Sequence, residues 1–481
     1  MNREDGMVGV CRATTLLNYF VNSLVYILVA SSVECSTTSE FESLLELPRS
    51  HKRPQDRVKS VTHVSVKDFG AKGDGYTSDT EAFKRAWKIA CSFSPAVLEV
   101  PRGETFVVGP IDFPGGCSSK VSLLIYGKIV APEEPGLWEG WNPRRWLYFH
   151  GVDRLTIKGG GTINGRGSKW WDRSCKINSS NPCEPAPTVC EVGIHGTHVL
   201  LQEQVKLLWF NWWANMQAIT FHRSKKLYIK NLELLNSQQM HMAFTECYNV
   251  KVTGLKVTAP PESPNTDGIH ISASSQISVK NVAIMTGDDC ISITTNSSKV
   301  RLRNVTCGPG HGISIGSLGR NNSWAEVHDV LVDGAFLNNT DNGVRIKTWQ
   351  GGTGFVEQVT FRNIVMENVS NPIIIDQYYC DSFVPCPNQT TNVKVNGVTF
   401  SNINGTSATI EAIRFTCSDS FPCQNLYLED IQLKQALGEP AEAFCWNASG
   451  RSSGSVCPSP CFDMPFISTF GTSARHSSQL C

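Results

Sequence analysis

The stretch TDGIHISASSQISVKNVAIMTGDDCISITTNSSKVRLRNVTCGPGHGISI, residues 266–315, decides the fold. Two kinds of short β-branched segment alternate in it. DGIHI (267–271), DCISI (289–293) and HGISI (311–315) follow one another at intervals of 22 residues (289 − 267 = 311 − 289 = 22). ISVKN (277–281) and VRLRN (300–304) lie between them. In each segment aliphatic residues take alternate positions, which puts them on one face of a strand and the intervening residues on the other. The pattern runs on in both directions. Upstream stand LYIKN (227–231) and VKVTG (250–254). Downstream stand VLVDG (330–334), VTFRN (359–363), VTFSN (398–402) and LYLED (426–430), interleaved with NGVRI (342–346), NPIII (371–375) and EAIRF (411–415). No amphipathic helix of useful length interrupts this half. One such unit cannot bury its apolar face, whereas stacked units can, so the expected fold is all-β, a parallel β-solenoid.

Residues 79–91, DTEAFKRAWKIAC, have a different period. Ala82, Phe83, Ala86, Trp87 and Ala90 fall at helical spacing. A short N-terminal capping helix is expected here, covering the sheet edge that an open solenoid end would expose.

Composition sets the class. The chain has 481 residues, 41% hydrophobic and 18% charged, which excludes a disordered polymer. Lys plus Arg (43) balance Asp plus Glu (43), so net charge gives no reason for a nucleic-acid or membrane-surface partner. No stable membrane partner is expected, and the chain is expected to act as a monomer.

Among 18 cysteines, Cys175 and Cys183, Cys290 and Cys307, Cys380 and Cys386, Cys417 and Cys423, and Cys457 and Cys461 are closely spaced without a zinc-ribbon pattern. They read as disulfides of an oxidising compartment. Nine Asn-x-Ser/Thr sequons, at Asn178, Asn296, Asn304, Asn321, Asn338, Asn368, Asn388, Asn404 and Asn447, agree with that compartment. At the N-terminus Arg12 precedes an apolar run from Leu16 to Ala30, followed by Ser31 and Ser32. Residues 1–35 are therefore expected to be a signal peptide, 36–60 a flexible leader, 61–465 the solenoid domain and 466–481 a C-terminal tail. The protein is expected to be secreted to the cell exterior or cell wall.

The second strand set carries the chemistry. Asp267, Asp289 and His311 hold equivalent places in successive units, which stacks them on neighbouring rungs about 4.8 Å apart. One longer rung on, NGVRIK places Arg345 and Lys347 outward, between the buried Val344 and Ile346. Asp288 adds a third carboxylate at a turn. Polar ladders that cap turns are common in solenoids, but a ladder does not collect unlike charges in one column. Stacked carboxylates repel, which raises the proton affinity of one and suits acid–base chemistry. Two cations beside them oppose a divalent metal and favour an anionic substrate. An acid–base pair of carboxylates with cations alongside points to hydrolysis of a uronic-acid polymer, with no metal and no cofactor.

SPNTDGI (263–269), GDDC (287–290), GHGISIGSLG (310–319) and RIK (345–347) closely resemble, in order, the four signature segments of polygalacturonases, glycoside hydrolase family 28. The resemblance spans VKDFGAKGDG (66–75) to about residue 465, and IIIDQYYC (373–380) with the cysteine pattern suggests the plant branch. It implies a right-handed, single-stranded parallel β-helix and an inverting hydrolase of α-1,4 linkages in pectic homogalacturonan. Asp288 would be the general acid, Asp267 and Asp289 would activate water, and His311 would tune the acid. Arg345 and Lys347 would hold substrate carboxylates. Tyr379, or its neighbour Tyr378, would match the family's site tyrosine, and Asn265 the Asn of its NTD segment.

One segment departs from that pattern. VCEVGIHGTHVLLQEQVKLLWFNWWANMQ (189–217) has no solenoid rhythm and carries Trp209, Phe210, Trp212 and Trp213 close together. Either it is a sugar-stacking lid, or it is an unselected insert whose apolar run is an aggregation liability; the second is the favoured expectation. The alternative to an active hydrolase is thus a carbohydrate-binding β-helix inactivated by this insert.

Overall fold

The computed structural model describes residues 61–93, 95–138, 145–177, 218–382, 384–462 and 475–477. The expected signal peptide, leader and atypical segment 189–217 lie outside the described residues. The described chain forms two long sheets, of seventeen and twelve strands, stacked as a parallel β-helix. Their registers follow the repeats read from the sequence. In one sheet Leu227, Val250, Ile277, Val300, Val330, Val359 and Val398 each pair with the next. In the other, Ile269, Ile291, Ile313, Val344, Ile373 and Ile413 do the same.

The Asn, Asp or Gly closing each segment of the first set has a backbone cause. Asn231, Gly254, Asn281, Asn304, Gly334, Asn363, Asn402 and Asp430 all have positive φ, between 49° and 82°. Each marks a corner where one continuous strand, such as Ser275–Met285 or Ser297–Cys307, bends around the solenoid. Side chains able to adopt the left-handed conformation are selected there. They also stack: Asn304 donates to Asn281 Oδ1 at 3.0 Å, Asn363 to Asp333 Oδ1 at 2.7 Å, and Asn402 to Asn363 Oδ1 at 2.8 Å.

Inside, the rungs bury one continuous apolar core. Phe113, Phe149, Phe221 and Phe244 stack at 4.5, 5.0 and 5.3 Å, and Phe361, Phe400 and Phe415 at 5.4 and 5.9 Å. Between these columns the core is aliphatic: Ile269, Ile271, Ile291, Ile293, Ile313 and Ile315 are wholly buried. Helix Thr80–Ser92 covers the N-terminal end with the five expected residues inward. Its Trp87 packs edge-on against Phe113 and Phe149 and donates to the Pro114 carbonyl. At the other end Arg475–Ser477, within the expected tail, pairs antiparallel with Glu442–Trp446.

The disulfides Cys290–Cys307, Cys380–Cys386 and Cys417–Cys423 form between closely spaced partners. Cys91–Cys117 ties the capping helix to the loop after the first rung. Cys461, however, pairs with Cys445 rather than with Cys457, which is bonded elsewhere. Sequence proximity misleads here because Cys445 sits on a strand of the stack and Cys461 folds back against it. Cys247, buried, is the free cysteine among the described residues.

Candidate active site

The four motif segments interlock through backbone and turn contacts. Thr266 Oγ1 accepts from the Gly287 amide at 3.0 Å, joining the first to the second. The His311 amide donates to the Asp288 carbonyl at 2.9 Å, joining the second to the third. Asn342 Nδ2 donates to the His311 carbonyl at 3.1 Å, joining the third to the fourth. Two glycines are required by close approach. A Cβ on Gly287 would lie 2.1 Å from the Ser263 carbonyl, and one on Gly312, at φ +86°, would lie 2.0 Å from that of Asn342. Cys290–Cys307 fastens the end of the Asp288–Asp289 turn to the strand leading into His311.

Asp289 lies at the electrostatic centre. Its Oδ2 accepts from Lys347 Nζ at 2.8 Å, and its Oδ1 accepts from Arg345 Nη2 at 2.9 Å and Ser314 Oγ at 2.7 Å. Arg345 Nε also donates to Ser314 Oγ at 3.1 Å. The group is sunk below the surface, with Asp289 3%, Lys347 8% and Arg345 13% exposed at the side chain. Both cations thus grip Asp289 before any substrate is present, and only their remaining donors are left for a ligand.

Asp267 and Asp288 are held differently. Asp267 Oδ2 accepts from Ser292 Oγ at 2.7 Å. Asp288 Oδ1 accepts from the Asp289 amide at 2.7 Å and meets His311 Nδ1 at 3.0 Å. Among the described residues Asp267 Oδ1 and Asp288 Oδ2 have no hydrogen-bond partner, so each carboxyl keeps one open oxygen. Burial, then the charges of Asp288 and Asp289, push Asp267 well above the usual carboxylate range. Burial acts the same way on Asp288, but the His311 hydrogen bond and the charges of His311, Lys347 and Lys176 outweigh it and leave Asp288 below that range. Burial opposes protonation of His311, yet its bond to Asp288 and the charges of Asp288, Asp289 and Asp341 raise it. These opposite directions favour the imidazole over the carboxyl as the holder of the proton in the Asp288–His311 pair.

Tyr379 stands beside this group, its ring 5.3 Å from Lys347 Nζ and 5.4 Å from the Trp349 ring. Tyr378 turns away, its hydroxyl accepting from the Asp419 amide. Asn265, at φ +55°, sits in the turn two residues before Asp267. Asp288, Asp289 and His311 bring donor atoms within 4.8 Å of one another, a set that a divalent cation could use. Lys347 and Arg345 already neutralise Asp289, however, and like charge disfavours such an ion there.

Sequence reasoning missed Ser292 and Ser314, which look like solenoid filler in DCISI and HGISI. It also missed His270, whose Nδ1 lies 2.8 Å from Ser292 Oγ, and Asp341, 3.4 Å from His311 Nε2. The available signal was their register: His270, Ser292, Ser314 and Arg345 form one outward column.

The family profile described as Glycosyl hydrolases family 28 matches residues 91–200 and 213–457. A probable polygalacturonase of Arabidopsis thaliana is 50% identical over 444 residues, covering 92% of this chain and 93% of its own. A polygalacturonase of Persea americana is 47% identical over 415 residues, covering 86% and 83%. Among solved structures, an exopolygalacturonase from Thermotoga maritima matches with a TM-score of 0.65 at 20% identity, over 82% of this chain and 92% of that one. An endo-xylogalacturonan hydrolase from Aspergillus tubingensis matches at 0.64 and 21% identity, over 82% and 100%. At such identities the structural likeness is one of fold alone.

Proposed function

The chain belongs to glycoside hydrolase family 28, and on that premise we propose that it cleaves α-1,4 linkages between galacturonate residues of pectin through Asp288 as general acid and Asp267 as general base. The observation that carries this division of roles is the pattern of filled and open carboxyl oxygens. Asp289 has both oxygens occupied by Ser314, Arg345 and Lys347, whereas Asp267 and Asp288 each present one.

In the inverting step, Asp288 gives a proton to the glycosidic oxygen as the bond from C1 to that oxygen breaks. Water attacks C1 from the opposite face and its proton passes to Asp267. The proton for Asp288 comes from its pair with His311. A substrate carboxylate lying nearer Asp288 than His311 raises the proton affinity of the carboxyl more than that of the imidazole and moves the proton toward the acid. Asp289, gripped by two cations, fixes their geometry while their spare donors bind substrate carboxylates, with Tyr379 as the flanking wall. Asn265, in the turn before Asp267, is assigned a contact with the sugar on its resemblance to the family's NTD segment.

The disulfides and sequons support secretion to the cell wall. No helix among the described residues is long and apolar enough to cross a membrane.

Reducing-sugar release from polygalacturonate tests the assignment. Asp288→Asn is expected to lower kcat by about 10²–10⁴-fold with an unchanged fold. Retention of more than a third of the rate would remove Asp288 from the acid's role. Lys347→Ala is expected to raise KM and make the residual rate less salt-sensitive. An unchanged KM at low ionic strength would deny it a part in holding substrate.

A further inference from the structure

Each of the two deeper carboxylates is held by a serine on the next rung, and each serine is held in turn by a donor. The sequence runs Arg345 to Ser314 to Asp289 in one case and His270 to Ser292 to Asp267 in the other. The strand Ile269–Ser272 buries Ile269 and Ile271 inward, so His270 points to the outer, site face. The solenoid core therefore has no need of it.

We infer that His270 is a positioning residue for the hydrolytic step, holding Ser292 so that its hydroxyl fixes and stabilises the ionised Asp267. A serine hydroxyl has one proton. Ser292 donates it to Asp267 Oδ2, so the contact with His270 must be one in which His270 Nδ1–H donates to Ser292 Oγ. Burial, which pushes the His270 imidazole down to about 4, favours the neutral form of this donor. The contrast with the neighbouring relay has a chemical consequence. Asp289 is backed by a permanent cation, whereas a neutral relay leaves Asp267 basic enough to take a proton from water. Without the relay, burial and the charges of Asp288 and Asp289 would hold Asp267 protonated across a wider pH range.

Other groups facing this pair are already in place. Asp288 and Asp289 face Asp267 from the following turn, and Lys347 faces it from the strand Asn342–Thr348. His270 is faced by Asp289 and Lys347. His241, on the preceding rung, meets Asp267 at its backbone carbonyl, 3.1 Å from the imidazole Nδ1.

The inference rests on Asp267 being the base, and the test separates the two. The full-length chain is assayed on polygalacturonate for kcat/KM against pH, with thermal unfolding of each variant. His270→Leu removes the donor, and His270→Asn keeps an N–H at the δ position. His270→Leu and Ser292→Ala should each move the acid limb of kcat/KM upward by about one pH unit, a tenfold loss below the limb, because a hydrogen bond to the charged form is lost. The double variant should shift no further than either single one, and His270→Asn should restore the wild-type limb. An unmoved acid limb in folded His270→Leu, or equal losses in the Leu and Asn variants at every pH, would overturn the inference. Asp267→Asn distinguishes the underlying reading: if it stays active the base is elsewhere, while if it is inactive and His270→Leu is unaffected, only the relay is wrong.

Discussion

At the scale of single residues, Asp267 is ionised at the expense of stability. Asp267 is a buried carboxylate whose proton affinity is raised by burial and by two neighbouring carboxylates. Between its ordinary value and its raised one, the folded protein binds the proton that the unfolded chain has released. Stability conferred by that proton is complete below the unfolded pKa, near 3.9, and is lost as pH rises through the folded value. Asp267→Asn, which mimics the protonated form, is thus expected to raise the melting temperature at pH 7 and to change it little at pH 3.5. Each unit of the original shift corresponds to about 1.4 kcal/mol. A variant less stable than wild type at pH 7 would show that the carboxylate is welcome where it lies. The Asp288–His311 pair has the opposite character. Asp288 contributes above its unfolded value and His311 below its own, so the pair supports the fold best between roughly pH 4 and pH 6.5.

At the scale of elements, one corner residue per rung controls the bend. Asn363, at φ +57°, donates to Asp333 Oδ1 and accepts from Asn402. Asn363→Gly keeps the left-handed backbone and loses the ladder. Asn363→Ala loses the ladder and also incurs the left-handed cost of a Cβ, about 1–2 kcal/mol. The alanine variant is expected to be the less stable by about that amount in urea unfolding. Equal stabilities would mean that the ladder, not the backbone, selects asparagine here. The same elements explain why the four motifs were readable. Intervals of 22 residues between Asp267, Asp289 and His311 reflect rungs of equal length, and the observed pairing of Ile269, Ile291 and Ile313 preserves that offset. His270, Ser292 and Ser314 were not readable, because a hydrophilic residue between two isoleucines is the ordinary pattern of any half-exposed strand.

At the scale of the whole molecule, residues 218–222 are seated in the stack. Ala218 is buried, its carbonyl accepts from the Leu147 amide, and Ile219–His222 pairs with Leu147–His150. The family match runs to residue 200 and resumes at 213, so the departure from the family pattern is narrower than the expected 189–217 and both ends of that segment fit the family. We propose that this segment is dispensable. Deleting 189–217, so that Thr188 meets Ala218, is expected to improve soluble yield without lowering active-fraction-corrected specific activity. Removal of a Trp-rich apolar run and of Cys190 is the reason. A deletion variant that folds equally well but binds polygalacturonate more weakly would instead establish the segment as a lid that stacks on sugar.

What the sequence determined by itself was the solenoid, its register and the convergence of Asp267, Asp288, Asp289, His311, Arg345 and Lys347, because a repeat converts spacing along the chain directly into adjacency in space. What only the tertiary structure decided was how those groups pair with one another. Lys347 and Arg345 both settle on Asp289, and the open oxygens fall to Asp267 and Asp288. Tyr379 rather than Tyr378 meets the site, and Cys461 reaches Cys445. These outcomes depend on side-chain direction, reach and burial across different rungs, which periodicity along one chain does not encode.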